Sequence, residues 1–462
     1  LDKIRDQLDP SLVDFFDASL ARLEIKLAVA RSEIETLTDC DSSKIALNRI
    51  SFNLPKLRKA HYSVFEEHIR STVSELAEWQ STFDPSWLFL FRSTSEKIDT
   101  ALTQQLRSPM NAPILDDIKA IRAAIRHIEE NDASEAPVFK EESLISLGRT
   151  PLPDSSLEVT TTRISAQNIL LDTTTYPSEA DADDVMGQVR DLARILMHGE
   201  PSTLGLLKCL GVLKIEVAAA AARQYQLMYM VPRNMGQPAT LRHLLLNTSP
   251  SLDAKFSLAR AMARGVASVH AAGFVHKNIR PETVLALHEE GVSLPTTFLV
   301  GFERFRAAKS ITTLTGDMIW HRNLYRHPMR QGRHPDEMYQ MQHDIYSLGV
   351  CLLELGLWHS FVLQTDPPKT GPLLEISAEL TLNNKRQAAL NIKSKLITLA
   401  TEKLPELMGL MYTEVVLSCL TCLNSDATNR FANDRDLRDR DGILVGVAFI
   451  EKIFKTLTSI QF

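Results

Sequence analysis

Cysteine is scarce in this chain. There are five in 462 residues, an odd number spread over a long sequence, which excludes a disulfide framework of the secreted kind and favours a reducing intracellular compartment. Long apolar runs are missing too. The longest candidate, Ile443 to Ile450, falls far short of the ~18 residues a membrane span needs. Positive charge is not in excess: 51 Lys and Arg stand against 57 Asp and Glu, a formal net charge of −6. Nothing therefore draws the whole chain to nucleic acid or anionic lipid. A cytoplasmic protein without a nucleic-acid partner is expected. The opening residues carry no basic stretch followed by a signal-peptide core, and Leu1 rather than methionine heads the chain, so a preceding segment is expected.

What is present is ordinary globular composition, 44% hydrophobic and 23% charged, which excludes a disordered or collagen-like chain. At ~150 residues per domain it has room for two or three domains. Residues 1–131 read as helical throughout. The cleanest apolar stripe is Ile114, Ile118, Ile121, Ile125 and Ile128. Each of four such stripes needs a partner, which predicts an antiparallel four-helix bundle. Trp87 to Phe91 is the most apolar short stretch; packed core is preferred over insertion into a membrane or partner groove. Arg22, Lys26, Lys56, Arg58, Lys59 and Arg70 give the first two helices a basic character compatible with anionic headgroups.

Periodicity stops over 132–156, where Pro151, Pro153, Asp154, Ser155 and Ser156 mark a linker. Beyond it, Val159 to Tyr176 is rich in threonine and β-branched residues and predicts strands, with Gln226 to Val231 as another. Helices are predicted over Ala180–His198, Asp253–Ala272, Gln342–Leu357, Glu406–Leu423 and Leu444–Leu457. A smaller strand-rich part, about 157–232, followed by a larger helical part, about 233–462, is an α+β arrangement.

The segment His276-Lys-Asn-Ile-Arg-Pro-Glu-Thr-Val-Leu285 resembles the protein-kinase catalytic loop, H-R-D-L-K-P-E-N-I-L. Ala261 to Gly273 is similar to the helix before that loop. His343 to Leu355 resembles the buried central helix of the kinase large lobe, and Asp426 to Phe431 the late Asp-Pro-x-x-Arg-Pro element. Their order and spacing fit one bilobal protein-kinase-like domain over 157–462. The resemblance implies retained scaffold residues: His276 and Phe302 in an apolar column joining the lobes, Asp344 holding the catalytic-loop backbone, Arg280 where kinases place a lysine, and Pro281, Glu282, Gly349 and Arg430.

It also shows what the chemistry lacks. Phosphoryl transfer needs a carboxylate near the attacking hydroxyl, bound Mg²⁺ and positioned phosphates. Asn278 stands where the catalytic aspartate belongs, and an amide cannot take up a proton near neutral pH. Thr283 replaces the metal-binding asparagine. Gly301-Phe302-Glu303 aligns with the DFG motif, so its metal-binding aspartate is a glycine; Glu303 is an imperfect substitute carboxylate. From Glu141 through Leu207 there is not one lysine, and Ile169-Leu-Leu-Asp172 occupies the strand that should carry one. Gly148 stands alone in place of a glycine-rich loop, and Asp191 is the nearest candidate for the helix glutamate. No catalytic residue, metal or cofactor is expected, and ATP binding is expected to be weak or absent.

Other signals have plainer readings. His321, His327, His334 and His343 match no zinc spacing, and a solvated loop titrating near neutrality is preferred. Arginines over 322–333 would suit a phosphorylated or acidic partner; an exposed mobile loop is preferred. Cys419 and Cys422 share a helix face and read as core rather than a redox pair. Asn433 to Asp441 alternates charge and reads as a solvated face.

A helical bundle tethered to a degenerate kinase (a pseudokinase) resembles mixed-lineage-kinase-domain-like necroptosis effectors and fungal HeLo-type proteins. That resemblance implies a signalling protein in which the kinase-like domain receives a ligand or protein partner. The bundle would give the output, either membrane-directed cell death or scaffold assembly. The alternatives are an active atypical kinase using Glu303 and Glu282, and a static scaffold.

Overall fold

The computed structural model describes residues 121–123, 138–146, 148–177, 181–198, 204–215, 222–233, 235–288, 295–302, 306–307, 318–332, 338–424 and 446–460. All belong to the unit Pro113–Phe462. The predicted bundle, apart from 121–123, lies outside the described residues, as do Glu303, His334, Arg430 and the Asn433–Asp441 stretch.

The first half is built on a six-stranded sheet of β1 (Phe139–Lys140), β2 (Thr150–Pro151), β3 (Glu158–Thr161), β4 (Asn168–Pro177), β5 (Cys209–Ile215) and β6 (Ala222–Met230), in the order β1-β5-β6-β4-β3-β2. The Thr-rich, β-branched run of β4 suits a half-buried pleated surface, and it pairs antiparallel along its length with β6. Alternation puts Ile169 and Leu171 on one face and Leu170, Asp172 and Thr174 on the other. The first face packs in a cluster with Ile145, Leu213 and Met228. Beside β5 lies helix α1 (Ala182–His198), whose buried Val185, Val189, Leu192, Ile195 and Leu196 recur at helical spacing. Asp181 starts it, accepting from the Asp183 and Asp184 amides.

The second half is mainly helical: α2 (Leu241–Asn247), α3 (Leu252–Ala271), α4 (Met341–Leu357), α5 (Lys385–Thr421) and α6 (Gly446–Ser459). Thr240 and Ser251 cap α2 and α3 through their hydroxyls. Nearly every residue of α4 is buried, and α3, α5 and α6 all pack against it. At Gly349 a Cβ would lie 2.6 Å from Cys419 Cβ, so only glycine lets α4 and α5 approach this closely. Cys351, Cys419 and Cys422 are buried free thiols in this core. A small sheet, β7 (Ala239–Thr240), β9 (Val284–Leu287) and β10 (Thr296–Leu299), underlies the loops, and a two-residue strand, β8 (Phe274–Val275), precedes them. The halves are tied by Ser268 Oγ donating to Leu204 O (2.7 Å) and Leu299 N donating to Gly205 O (3.0 Å).

Several boundaries differ from the sequence reading. The sheet reaches into the stretch read as a linker, because β1 and β2 are two-residue strands that no periodicity can reveal. Strand β5 was not anticipated; a short apolar run does not declare itself strand or helix. Helix α5 starts at Lys385 rather than Glu406 and passes through Pro405, breaking helical geometry only at Gly409 (φ 78°, ψ 169°). Among the described residues no helix is long and apolar enough to cross a membrane.

Candidate functional site

Between β8 and β9 the loop His276–Thr283 is held from below by one side chain. Asp344, in the first turn of α4 and fully buried, accepts from His276 N through Oδ2 (2.7 Å) and from Lys277 N through Oδ1 (2.9 Å). His270 Nε2 lies 3.0 Å from Oδ2, and the Tyr339 hydroxyl donates to Oδ1 at 2.6 Å. Burial pushes this carboxyl up, but the His270 hydrogen bond and charge, with His276 and Tyr339, outweigh it and hold it below its usual range. Lys277 takes a left-handed conformation (φ 66°), a strain that the bond to Asp344 sustains. The His276 ring lies 4.5 Å from that of Phe302, centroid to centroid, and its Nε2 is 3.0 Å from Val300 O.

Asn278 is engaged at both ends. Its Nδ2 donates to Gly301 O (3.0 Å), and its Oδ1 accepts from Arg280 Nε (3.1 Å). A carboxylate here would face the Gly301 carbonyl with no proton to offer. Pro281, Glu282 and Thr283 form a short 3₁₀ turn, all buried. The Thr283 hydroxyl accepts from Arg280 N (3.1 Å) and donates to Asn278 O (2.8 Å). Its methyl faces Gly301. There φ is +81°, and a Cβ would fall 2.3 Å from Thr283 Cγ2. No side chain, and so no metal-binding aspartate, fits at 301 without moving Thr283.

Opposite this corner stands Asp172, completely buried on β4. Its Oδ2 accepts from Gly301 N (2.8 Å) and Phe302 N (3.1 Å), and Thr174 Oγ1 donates to Phe302 O (3.2 Å). The strand read as having lost a lysine thus supplies an anion that binds main-chain donors. Asp191 is only partly buried and lies 3.4 Å from Arg190 Nε. Sequence reasoning named Asp172 but missed this role. The available signal was a lone carboxylate inside an apolar strand, since buried charges are paired.

Glu282 is anchored by a second network that the sequence did not disclose. Arg242, fully buried on α2, donates to Glu282 Oε1 (3.3 Å) and Glu354 Oε1 (2.7 Å) and also reaches Ser360 and Tyr325. Burial raises the Glu282 carboxyl, and Arg242 and Arg280 more than offset that, keeping it below its ordinary value.

The described histidines, His321, His327 and His343, are not a solvated loop. His327 and His343 are buried, His343 within α4. Burial pushes His343 down to about 4, with Arg330 adding to the effect. Burial and Lys393, whose Nζ lies 3.1 Å from His327 Nε2, push His327 down to about 2. His321 is half-buried, and burial lowers it as well. Arg330 is buried against the Tyr339 ring. Among the described residues no three His, Cys, Asp or Glu side chains group to hold a metal. Burial raises the Cys422 thiol to about 12 and the Cys419 thiol well above its usual value, as core thiols should be.

The arrangement of loops beneath a strand sheet and around a buried helix is a mixed α/β one, and sequence comparison adds a distant, partial likeness to a protein kinase. The chain is 36% identical over 122 residues to serine/threonine-protein kinase PknL of Mycobacterium tuberculosis and of Mycobacterium bovis. That segment is 26% of this chain and 29% of the relatives' length. No family model matches the sequence.

Proposed function

We propose that the chain is a catalytically inactive kinase-like signalling protein. Its C-terminal two-thirds receives a ligand or protein partner and its N-terminal segment gives the output, by scaffold assembly or at a membrane. What supports this reading above all is the corner formed by Asp172, Gly301 and Thr283. A triphosphate with Mg²⁺ wants cationic and metal-holding groups there. Instead the strand presents a buried carboxylate, position 301 has no room for a side chain, and the Thr283 hydroxyl is spent on the loop's own backbone. These residues do not fit a magnesium nucleotide. The loop position of the proton acceptor is held by Asn278, which uses its amide to bind Gly301 O.

The reading is tested by thermal shift of the full chain with ATP, with and without Mg²⁺, beside a phosphotransfer assay in Mg²⁺ and Mn²⁺. A ligand present at 100 times its Kd would stabilise the fold by about 2.7 kcal/mol. The expected outcome is no magnesium-dependent shift and no turnover. Turnover lost in Glu303→Ala would reject the reading.

A further inference from the structure

On the face of the six-stranded sheet away from Asp172, a cavity of about 570 Å³ opens beside β5 and β6. Its placement follows from strand alternation: Met228 and Met230 line it, and they pair across β4 with Leu171 and Ile169, not with Asp172. Ile145 and Leu210 complete an apolar floor. Ile164 stands at its edge, 89% exposed, a costly position for an isoleucine with nothing to cover. The size is in the range of small-molecule sites, roughly 300–1,000 Å³.

Charge at the rim has one sign. Among the described residues, Lys140 and Arg233 line the cavity and no aspartate or glutamate does. Among the described residues neither cation has a carboxylate partner. Arg233 is held in place by Gln167, whose Oε1 accepts from Arg233 Nε at 2.8 Å and whose Nε2 donates to Val231 O. Methionine floors adapt to flexible apolar bodies, and two cations without counter-ions on an apolar cavity complement one anionic head on a hydrocarbon tail.

We propose that this cavity is a binding site for an amphipathic carboxylate, with its alkyl body over Met228 and Met230 and its head toward Lys140 and Arg233. The site stands on its own geometry; only its part as the signal that the kinase-like region receives rests on the function proposed above. The test is calorimetric titration of the full chain with dodecanoate below its micelle concentration, with dodecyltrimethylammonium as a head-group control. One saturable site per chain is expected for dodecanoate and none for the cation. The double variant Lys140→Glu, Arg233→Glu should weaken binding about tenfold or more, as loss of a charge-assisted contact implies. Met230→Trp should fill the cavity and abolish binding. Both variants should melt like the parent, which separates a lost site from a lost fold. No saturable dodecanoate binding, equal binding of the cationic amphiphile, or unchanged affinity in both variants would overturn the proposal. Dodecanoate binding together with robust phosphotransfer would sink the inactive-enzyme reading and leave the cavity standing; the reverse pair of results would do the opposite.

Discussion

Two buried aspartates do the same work at opposite sides of the site. Asp344 binds the consecutive amides of His276 and Lys277; Asp172 binds those of Gly301 and Phe302. Both are fully buried, and a carboxylate in that position needs donors to offset its desolvation. They differ in how the donors are shared. Asp344 uses both oxygens and gathers His270 and Tyr339 as well, from a helix at the centre of the core. The two main-chain bonds of Asp172 fall on one oxygen, from a strand across 129 residues of chain. The first is a four-donor hub. The second puts an anion where phosphate chemistry needs a cation. The same physical device holds the His276–Lys277 backbone in one place and the Gly301–Phe302 backbone in the other.

The largest effect that would test this difference is at Asp344. In Asp344→Asn one oxygen becomes an NH₂ pointed at N–H or O–H donors, whichever way the amide turns. Either the His276 or the Lys277 amide then loses its acceptor, at ~1–3 kcal/mol, because the His270 ring and the Tyr339 hydroxyl can turn to accept and a backbone N–H cannot. Urea denaturation should show a loss of about 2–3 kcal/mol. A loss under about 1 kcal/mol would mean the hub does not hold the loop.

Acid should separate the two sides next. His276 and His343 are pushed to about 4, and His327 to about 2, each first by burial. All three contact the Asp344 side or its helix. An unfolded imidazole takes up its proton near pH 6.5, whereas the folded one resists until far lower. The unfolded state therefore binds more protons below pH 6.5, and stability falls as pH falls through that window toward 4. Between pH 7 and pH 5 the loss is about 2 kcal/mol per histidine. The lowered Asp344 carboxyl works in the same sense, its contribution being lost as pH drops. Urea midpoints at the two pH values check the slope, and His343→Gln should flatten it.

The sequence carried the kinase-like loop and its hub because these are local: His276 to Thr283 is a contiguous motif, and Asp344 opens a helix whose apolar run is plain. Strand β4 and helices α1, α3 and α4 were legible for the same reason, each having a long, regular pattern. What stayed hidden depends on partners far away in the chain. That Asp172 is more than a missing lysine needs the Gly301 amide brought to it. That His327 and His343 are buried needs Lys393 and the core of α4. Arg242, unremarkable in its own helix, becomes a hub only when Glu282, Tyr325 and Glu354 converge on it.

The smallest effect is the most diagnostic. In Asp172→Asn the remaining carbonyl oxygen can still accept from both Gly301 N and Phe302 N, because both already meet one atom, Oδ2. Both main-chain bonds survive while the charge is lost. A charge-assisted hydrogen bond is stronger than a neutral one, but the cost of burying the charge goes too. The two changes nearly cancel, and about 1 kcal/mol or less should separate the variant from the parent in urea. Asp172→Lys is the contrasting case. It restores the residue type a kinase uses, yet sets a cation against two N–H donors and removes their acceptor, so it should destabilise by several times as much. If the lysine variant were as stable as the asparagine one, the Gly301–Phe302 backbone would not be pinned to β4. The two aspartates would then not be doing the same work.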